Sequence, residues 1–403
     1  MNVLLFVDDE QKVLQGLQRQ LRPMRHEWDM YFVESGPQAL AFMATQPVDI
    51  IISDMMMPGM DGSQLLGEVL KRHPQTVRVI LSGQTGHEAV LRLVGPAHQY
   101  LSKPCDPDEL RRAITRALEL RDLLGSGELK QLATRIKNLP TLPTLYRQLT
   151  EELRRDEPSV EHVGEIISHD IGMAAKVLQL VNSAFFGLAR PVSNPTEAVT
   201  YLGLNTIRSL ALSVGVFSQY DQDTCQLFSL DVLAEHSWVV GGVARRLAQM
   251  ERQEMKVLEQ CFLAGLLHDV GQLVLANGLP GEYAAVMAKA GRQRLPVWQV
   301  EQEFFGAAHA DVGAYLLALW GLPHPIIEAV AHHHHPARCV TPGFSATIAA
   351  HAADVFTHEF LATRTEVPLP ELDVACLTSL GFADRIAAWR ADAKEAIESR
   401  NTD

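Results

Sequence analysis

The first 120 residues alternate short apolar runs with segments of helical periodicity. The apolar runs are, in chain order, NVLLFV, DMYFV, VDIIIS, VRVIL and QYLS. The segments between and after them place apolar residues three or four positions apart, as an amphipathic helix does. They are KVLQGLQRQL, GPQALAFMA, GSQLLGEVLKRH, HEAVLRLV and PDELRRAITRAL. Strands that alternate with helices predict an α/β domain over residues 1–120, a doubly wound, five-stranded parallel sheet.

The pattern is less regular between residues 121 and 137. The sequence GSG at 125–127 interrupts a helical period, and Leu129, Leu132 and Ile136 then begin a second one. We interpret 121–137 as a helical linker in preference to a solvated spacer. The repeat is too short to predict a coiled coil, so homodimerisation through this segment stays open.

From residue 138 onward, strand-like alternation gives way to helical patterns joined by short loops. Examples are SVEHVGEIISHDIGMAAKVLQLVNSAFFG, LAEHSWVVGGVARRLAQM and LEQCFLAGLLHDVGQLVLA. These patterns predict an all-α domain over 138–336. The remaining residues, 337–403, end in an amphipathic helical pattern, and we expect this extension to pack on the helical domain.

Composition narrows the class of protein. The formal net charge is −13, and an acidic chain is poorly suited to nonspecific binding of DNA or of anionic membranes. The five cysteines are dispersed, with no C-x-x-C pair, as is typical of reduced thiols. We found neither a signal peptide nor an apolar stretch of membrane-spanning length. We therefore expect a cytoplasmic protein without membrane or DNA partners.

Polar residues follow the predicted strands of the first domain at their carboxyl ends. They are Asp8 and Asp9, then Asp54, then Ser82, then Lys103. In a doubly wound sheet these ends meet at one edge, where ligands bind. Three carboxylates beside one lysine predict a bound Mg²⁺. Asp54 follows the most apolar strand and is the candidate nucleophile, because its carboxylate can accept a phosphoryl group whose charge the metal and Lys103 neutralise.

This segment resembles the receiver domain of bacterial two-component response regulators from about residue 2 to 119. Four motifs carry the resemblance: VDDE at 7–10, SDMMMPGMDG at 53–62, LSG at 81–83 and YLSKP at 100–104. The resemblance implies a flavodoxin-like fold. It also implies that a sensor histidine kinase phosphorylates Asp54.

The receiver resemblance also implies roles for individual residues. Carried over by position, Asp9, Asp54 and the backbone carbonyl of Met56 bind Mg²⁺ directly, and Asp8 acts through water. Phosphoryl contacts and the conformational switch fall on three further side chains: Ser82, Lys103 and Tyr100.

Histidines and aspartates are placed unusually in the helical domain. The apolar run LAGLLHDVGQL contains adjacent His268 and Asp269, and burying such groups is costly unless they have partners. Further candidates are His236, His309, the block His332 to His335, and Asp354. Imidazoles and carboxylates are the usual ligands of Zn, Mn or Fe, so convergence on a metal would satisfy these groups. The alternative is that each is an ordinary core or surface residue, and the four neighbouring histidines cannot all face one site.

The order H…HD…H…HH…D resembles the HD superfamily of metal-dependent phosphohydrolases. Residues 138 to about 336 resemble more closely the HDOD domain, an HD-related output domain of bacterial signalling proteins. This second resemblance rests on LPTLPTL, IISHDIGMAAKVLQLVNSAFFG, EAVTYLGLNTIRSLAL, AGLLHDVGQL, HADVGAYLLALWGLP and AVAHHHHP. The HD pattern implies one ligand set made of His236, His268, Asp269 and Asp354. A second ion would be held by His309, His333 and His334, and either ion would be Fe, Mn or Zn.

Two departures separate this chain from the HD-GYP phosphodiesterases that cleave cyclic di-GMP. Gln272 stands where those enzymes carry lysine after HDxG, and HHHHPARCVTPG lacks the GYP motif. Glutamine brings no charge to neutralise a substrate phosphate. We therefore expect a non-catalytic HDOD domain that signals by protein–protein contact with a downstream protein. The alternative is a phosphorylation-gated HD phosphohydrolase acting on nucleotides or cyclic dinucleotides.

Overall fold

The computed structural model describes most of both predicted domains. The described residues are 2–82, 97–103, 108, 110–112, 114–115, 118, 140–141, 143–155, 157–182, 190–204, 207, 218–219, 229–320, 322–339, 343–361 and 369–400. The predicted helix at 87–94 and the predicted linker at 121–137 lie outside them.

The N-terminal part contains a five-stranded parallel sheet with the order β2-β1-β3-β4-β5. Its strands are β1 (Asn2–Val7), β2 (Trp28–Val33), β3 (Ile50–Asp54), β4 (Val77–Ser82) and β5 (Gln99–Ser102). Its described complete helices are α1 (Gln11–Leu21), α2 (Gly36–Thr45) and α3 (Gly62–Arg72). This order is that of the flavodoxin-like doubly wound fold, so the predicted fold class is confirmed.

Side-chain alternation along the strands distributes the core over both faces of the sheet. In β1, Leu4 and Phe6 join the apolar cluster on the side of α1, whereas Leu5 and Val7 join the one that contains α2 and α3. Strand β3 is buried along its whole length, as expected for a central parallel strand covered by helices on both sides.

The C-terminal part is helical, as predicted. Its helices are α4 (Pro143–Leu153), α5 (Val160–Ser168), α6 (Ile171–Val181), α7 (Pro195–Leu202), α8 (Leu230–Met250), α9 (Met255–Leu267), α10 (Val270–Gly278), α11 (Pro280–Gln293), α12 (Val297–Phe305), α13 (His309–Leu319), α14 (His324–His332), α15 (Ala346–Leu361), α16 (Val374–Ser379) and α17 (Ile386–Arg400). A two-residue parallel pair, β6 (Pro140–Thr141) with β7 (Ser218–Gln219), is an addition that the sequence pattern did not predict.

Two continuous helical patterns in the sequence are each divided into two helices. Between α5 and α6, the Asp170 side chain caps the new helix by accepting a hydrogen bond from the Met173 amide. Between α9 and α10, the break falls at His268 and Asp269. Apolar periodicity continues through both breaks, so periodicity alone did not locate them. The second break turns the histidine and the aspartate into the interior.

The last helix is anchored to the helical body by its aromatic residue. Trp389 is fully buried, and its indole Nε1 donates a hydrogen bond to Glu251 Oε1 at 2.9 Å. Arg385 reaches the same oxygen at 2.6 Å, and Arg246 of α8 pairs with Asp392 of α17.

The two parts are in contact. All residues of α6 are buried, and Gln179 in this helix lies with its Nε2 3.5 Å from the backbone oxygen of His98, just before β5. Leu101 and Leu110 of the N-terminal part belong to the same continuous apolar cluster as Leu178 of α6. None of the described helices has an apolar stretch long enough to cross a bilayer.

Candidate functional sites

The first candidate site lies at the carboxyl ends of the parallel strands. Lys103, immediately after β5, places its Nζ 2.6 Å from Asp8 Oδ2 and 2.5 Å from Asp54 Oδ1. Asp8 follows β1 and Asp54 ends β3, neighbouring strands at the point where the strand order reverses. Both carboxylates are buried, whereas Asp9 beside them is exposed.

A glycine allows the backbone to close around Asp54. Gly62 begins α3, and a Cβ at this position would lie 2.1 Å from the backbone oxygen of Asp54. The loop between them also bonds to the site, because the Met56 amide donates to Asp54 Oδ2 at 2.9 Å. Asp61 caps α3 by accepting from the Gln64 amide. The DG sequence therefore starts the helix and permits its close approach to the aspartate.

The electrostatics of this site are dominated by burial and by Lys103. Burial raises the pKa of Asp54, and the hydrogen bond and charge of Lys103 oppose that rise. Burial lowers the pKa of Lys103, but Asp54 and Asp8 outweigh it, so the net shift is upward. The lysine is therefore a permanent cation between two carboxylates. Such an arrangement can neutralise negative charge that develops on an oxygen bound to Asp54.

Two residues predicted for the switch cannot be placed in this geometry. Ser82 ends β4 and Tyr100 lies in β5, but their side chains lie outside the described part of the structure.

The second candidate site is a cluster of histidines and aspartates inside the helical part. The cluster contains two groups of side chains, and Asp354 of α15 lies at the centre of the first. Its Oδ1 lies 3.1 Å from His236 Nε2 and 3.6 Å from His268 Nε2. Together these three residues form a group compatible with one metal ion.

A second group lies beside the first. His309 Nε2 and His334 Nε2 are 3.0 Å apart, and His333 completes a set of three imidazoles that could hold an ion. Asp269 lies between the groups, with Oδ2 3.3 Å from His268 Nε2 and Oδ1 3.0 Å from His309 Nε2. The structure thus brings together the histidines and aspartates that the HD pattern selected, with Asp269 positioned to bridge.

Glycines bring the helices that carry these residues into close contact. A Cβ at Gly265 of α9 would lie 2.7 Å from the backbone of Gly241 in α8, which draws together the helices that carry His268 and His236. A Cβ at Gly271 of α10 would lie 1.9 Å from the backbone oxygen of His309. The glycine of HDVG therefore allows α13 to start directly against the helix that follows Asp269.

Backbone carbonyls set the orientation of two buried rings. His268 Nδ1 lies 2.7 Å from the Gly265 oxygen, and His333 Nδ1 lies 2.8 Å from the Val330 oxygen. Each Nδ1–H donates to its carbonyl, so Nε2 turns toward the cluster. Among the described atoms, His333 Nε2 is buried without a hydrogen-bond partner, whereas His268 Nε2 faces the carboxylates of Asp269 and Asp354 at 3.3 and 3.6 Å. The unpartnered Nε2 of His333 is a nitrogen that a metal ion would satisfy.

A buried carboxylate positions His309. Glu301 of α12 accepts from His309 Nδ1 at 2.6 Å, and its other oxygen accepts from the Tyr283 hydroxyl at 3.1 Å. The Tyr283 hydroxyl also lies 3.3 Å from Gln272 Oε1. Gln272, which replaces the HD-GYP lysine, is therefore part of the scaffold of the second group. A carboxylate on Nδ1 leaves Nε2 as the ligand atom of His309.

The charges of the cluster compensate each other in the absence of an ion. Burial lowers the pKa of His309, but Glu301 and Asp269 outweigh it and raise the value to about 10. The pKa of His268 is likewise raised, because Asp269 and Asp354 outweigh its burial. Burial and the neighbouring charged histidines lower the pKa of His333 to about 3. The neighbouring carboxylates raise the pKa values of His268 and His309 and so favour their protonated forms. A cation bound here would replace those protons.

The remaining histidines of the block lie outside the cluster. His332 and His335 are partly exposed and belong to none of the three groups of potential ligands found among the described residues. The cluster opens into a cavity of about 70 Å³ whose apolar wall includes Val297, Trp298 and Leu369. Trp298 stacks on His334 with ring centroids 5.8 Å apart.

Comparison with protein families identifies both parts of the chain. Residues 4–115 match the response regulator receiver domain, and residues 139–336 match the HDOD domain. The chain is a response regulator with an HDOD domain. Two-component signalling follows from this family, as the sequence motifs predicted.

Individual relatives of this response regulator match only part of it. An uncharacterized protein of Treponema pallidum (strain Nichols) is 26% identical over 51% of this chain and 39% of its own length. The hydrogenase transcriptional regulatory protein HoxA of Cupriavidus necator is 34% identical over 37% of this chain and 30% of its own. The chain thus spans well under half the length of these curated relatives. The MmoQ response regulator of Methylococcus capsulatus str. Bath superposes with a TM-score of 0.50 at 22% identity, covering 63% of this chain and 97% of that one, which shows the shared fold alone.

Three residues near the HDOD cluster were missed by sequence reasoning. Glu301 sits eight positions before His309 in an ordinary helical pattern, and its burial is visible only in three dimensions. Gly271 carried a signal, because a glycine two residues after an HD pair within an apolar run indicates a packing or functional constraint. His358 belongs to neither ligand set implied by the HD pattern, yet it lies one turn after Asp354 on the same face of α15.

Proposed function

We propose that this response regulator is switched by phosphorylation of Asp54 and signals through a non-catalytic HDOD domain. The observation that carries the proposal is the position of Lys103, whose ammonium contacts both Asp8 and Asp54 at the carboxyl ends of the strands. A buried carboxylate, a second carboxylate and a lysine are the groups that phosphoryl transfer to an aspartate requires.

In the proposed reaction, a carboxylate oxygen of Asp54 attacks the phosphorus of a phosphohistidine on a sensor kinase. The new O–P bond forms as the P–N bond breaks, and the imidazole leaves. Lys103 then offsets the charge on the phosphoryl oxygens, and Ser82 is proposed to donate a hydrogen bond to one of them. Burial raises the pKa of Asp54 and Lys103 opposes that rise, so the lysine favours the anionic form that acts as nucleophile.

The donors at this site fit Mg²⁺. Asp8 and Asp54 offer buried carboxylate oxygens, and Asp9 offers an exposed one at the rim, the hard ligands that this ion prefers. We propose that Asp9, Asp54 and the backbone carbonyl of Met56 hold the ion directly, with Asp8 acting through water. When bound, Mg²⁺ would supply positive charge to the transferring phosphoryl oxygens.

The contact between the domains supports a route from Asp54 to the output. Helix α6 of the HDOD domain lies against the receiver where Gln179 meets the backbone of His98, beside the edge strand β5. Lys103, at the other end of β5, contacts Asp54. We propose that a change at Asp54 moves Lys103 and that this movement is transmitted along β5 to α6. The movement of α6 would then alter the surface that the HDOD domain offers to its partner protein.

Phosphorylation is tested by treating the full chain with acetyl phosphate and Mg²⁺ and separating the products on phosphate-affinity gels. We expect one phosphorylated species in the wild type and none in Asp54→Asn. Asp61→Asn is the matched control, because asparagine retains the helix cap of α3 and leaves Asp54 intact. Equal phosphorylation of wild type and Asp54→Asn would refute the receiver part of the proposal.

Transmission is tested by hydrogen exchange with and without beryllofluoride, an analogue of the phosphoryl group. We expect the exchange rate of α6 amides to change in the wild type and to stay constant in Asp54→Asn. Unchanged exchange throughout the HDOD domain, in a protein that demonstrably binds beryllofluoride, would refute the coupling while leaving the phosphorylation intact.

A second candidate function is phosphorylation-gated hydrolysis of nucleotides or cyclic dinucleotides by a metal centre. It is favoured by the two adjacent ligand groups around Asp354 and His309, with Asp269 between them. The donor set of imidazoles and carboxylates fits Fe, Mn or Zn, and the unpartnered Nε2 atom of His333 supports such an ion. A bound metal would supply Lewis acidity and an activated water.

The two output functions are separated by elemental analysis and by assays with cyclic di-GMP and related nucleotides. A non-catalytic HDOD domain shows no turnover with any of them, phosphorylated or not. Turnover that is lost in His268→Ala and kept in His162→Ala, an exposed helical histidine, would favour the enzyme instead.

A further inference from the structure

The receiver sheet has one edge that remains accessible. The strand order places β2 and β5 at the two edges, and β5 lies beside α6, where Gln179 meets the backbone of His98. Within the described part of the chain, β2 (Trp28–Val33) pairs with β1 alone. Its last four residues are apolar or aromatic and only half-buried, whereas the central strand β3 is buried throughout. Such an edge offers unpaired backbone N–H and C=O groups to another strand.

A groove lined by arginines lies beside this edge. It is a cavity of about 500 Å³ bounded by α1, the 3₁₀ turn Arg22–His26 and β2. Successive strand residues point to opposite faces, so alternate residues of β2 form one side of the groove. Those residues are Trp28, Met30 and Phe32, and the arginines that line the same cavity are Arg19, Arg22 and Arg25.

The three arginines of the groove are available to an external partner. All are exposed, and none forms an ion pair or a side-chain hydrogen bond with a described residue. By contrast, Arg72 of α3 is paired with Glu68 at 2.8 Å. Asp29 is the one carboxylate among the described lining residues, and strand alternation places it on the face opposite Met30. The groove is therefore locally basic in a chain whose net charge is −13.

The groove and Asp54 lie at opposite ends of the sheet. Helix α1 begins after the carboxyl end of β1 and leads, through the 3₁₀ turn, back to the amino end of β2. Asp54 is at the carboxyl end of β3. Because all five strands are parallel, their amino ends share one end of the sheet and their carboxyl ends the other. An occupant of the groove would therefore leave the phosphorylation site accessible.

We propose that the groove and the edge of β2 bind an extended acidic segment of a partner protein, which adds to the sheet as a further strand. The backbone of the segment pairs with β2, its apolar side chains pack over Met30 and Phe32, and its carboxylates face the arginines. A peptide is favoured over nucleic acid because an open strand edge is recognised by another backbone, and because the chain as a whole repels polyanions. This surface is on the receiver, so it is additional to the HDOD surface of the proposed function and does not depend on phosphorylation of Asp54.

The simpler interpretation is that the arginines are solvated and only keep the edge of β2 from pairing with other chains. In that case an acidic strand would gain nothing from the groove beyond the general attraction of any exposed arginine. The two interpretations differ in whether binding is localised to β2 and to these three side chains.

The test uses a fluorescently labelled peptide of alternating valine and glutamate, matched in length to the six residues of β2. Its counterpart with lysine in place of glutamate is the charge control for the peptide. We expect the full chain to bind the glutamate peptide saturably in fluorescence anisotropy, to bind it less tightly as salt rises, and not to bind the lysine peptide. Hydrogen exchange of the β2 amides should slow when the glutamate peptide is bound.

The groove is tested by the double variant Arg22→Glu/Arg25→Glu. Each attraction becomes a repulsion, so we expect the affinity for the glutamate peptide to fall at least about tenfold. Arg154→Glu/Arg245→Glu is the matched control, because it makes the same change of charge at two exposed arginines of the helical part. Since distant exposed charges are screened, its affinity should stay within about twofold of the wild type. Both variants should still be phosphorylated by acetyl phosphate, which shows that the receiver is folded and separates this test from that of the proposed function.

Several results would overturn the proposal while leaving phosphorylation of Asp54 intact. They are no binding of the glutamate peptide, equal binding of the lysine peptide, an equal loss of affinity in the control variant, or unchanged exchange of the β2 amides. Displacement of the peptide by an equal concentration of pyrophosphate would show a site for small anions instead. A wild-type dimer in sedimentation that dissociates in Arg22→Glu/Arg25→Glu would show that a second copy covers the edge, and it would equally refute an acidic partner.

Discussion

Replacing Gly271 by alanine should damage the helical domain at the junction of its two ligand groups. The new Cβ would lie 1.9 Å from the backbone oxygen of His309, and it would also meet the Gly313 amide at 2.9 Å. Because ordinary contact begins at about 3.4 Å, α10 and α13 would have to separate by roughly 1.5 Å. That movement would carry Asp269 away from His309, whose contact is now 3.0 Å.

Two opposing effects determine how Gly271→Ala changes the free energy of unfolding. Alanine is favoured over glycine inside a helix by about 1 kcal/mol. Overpacking a close-packed interior costs about 1–3 kcal/mol, and here the upper end applies because the obstacle is backbone and cannot rotate away. We therefore expect Gly271→Ala to lower the free energy of unfolding by about 2 kcal/mol, after the helical preference has been subtracted.

Gly242→Ala supplies the comparison. Gly242 also lies within a helix, α8, but a Cβ there meets nothing within 4 Å. This variant should gain up to about 1 kcal/mol. Urea unfolding of both variants, followed by circular dichroism in the presence of a chelator, measures the difference directly. A Gly271→Ala chain as stable as Gly242→Ala would show that the close approach of α10 and α13 is not required.

Three further predictions follow from the charges and the core. Lys103→Met removes the cation beside Asp54, and we expect phosphorylation by acetyl phosphate to slow at least about tenfold, or about 1.4 kcal/mol, on a phosphate-affinity gel. In chelating buffer, thermal stability should peak near pH 6.5. The lowered pKa of His333, about 3, makes stability fall as the pH drops below the ordinary value of 6.5, and the raised pKa of His309, about 10, makes it fall as the pH rises above 6.5. A midpoint that rises steadily to pH 9 would contradict this. Trp389→Ala should destabilise the helical part by about 3–5 kcal/mol in the same melts, and a loss under 1 kcal/mol would show that α17 is not held by its indole.

Part of the fold could be predicted from the sequence because the signals for it are periodic or lie within a few neighbouring residues. Strands β1 to β5 are apolar runs that end in polar residues, and their carboxyl ends share one edge in any parallel sheet. Asp8, Asp54 and Lys103 could therefore be grouped before their distances were known. The HD pattern likewise selected His236 and His309, although nothing in their local sequence links one to the other.

Other features depended on contacts between distant segments. Glu301 is one charged residue among several on α12, and only the fold shows that it is buried against His309 Nδ1. Within the four-histidine block, helix geometry predicted that some rings point away, and the HD pattern selected His333 and His334, but only the structure shows that both lie beside His309. The breaks after α5 and α9 were hidden because their apolar residues continue across them.

The sequence by itself determined the two domains and the chemistry available to each, since hydrophobic periodicity and residue type are written along the chain. Only the tertiary structure decided at what distances and in what orientation those side chains meet. Helices α8 and α9, like α10 and α13, approach each other through backbone contacts at glycines, and such contacts depend on crossing geometry. Glu301 shows the difference: its residue type made it a possible partner of a histidine, but only the packing of α12 placed it beside His309.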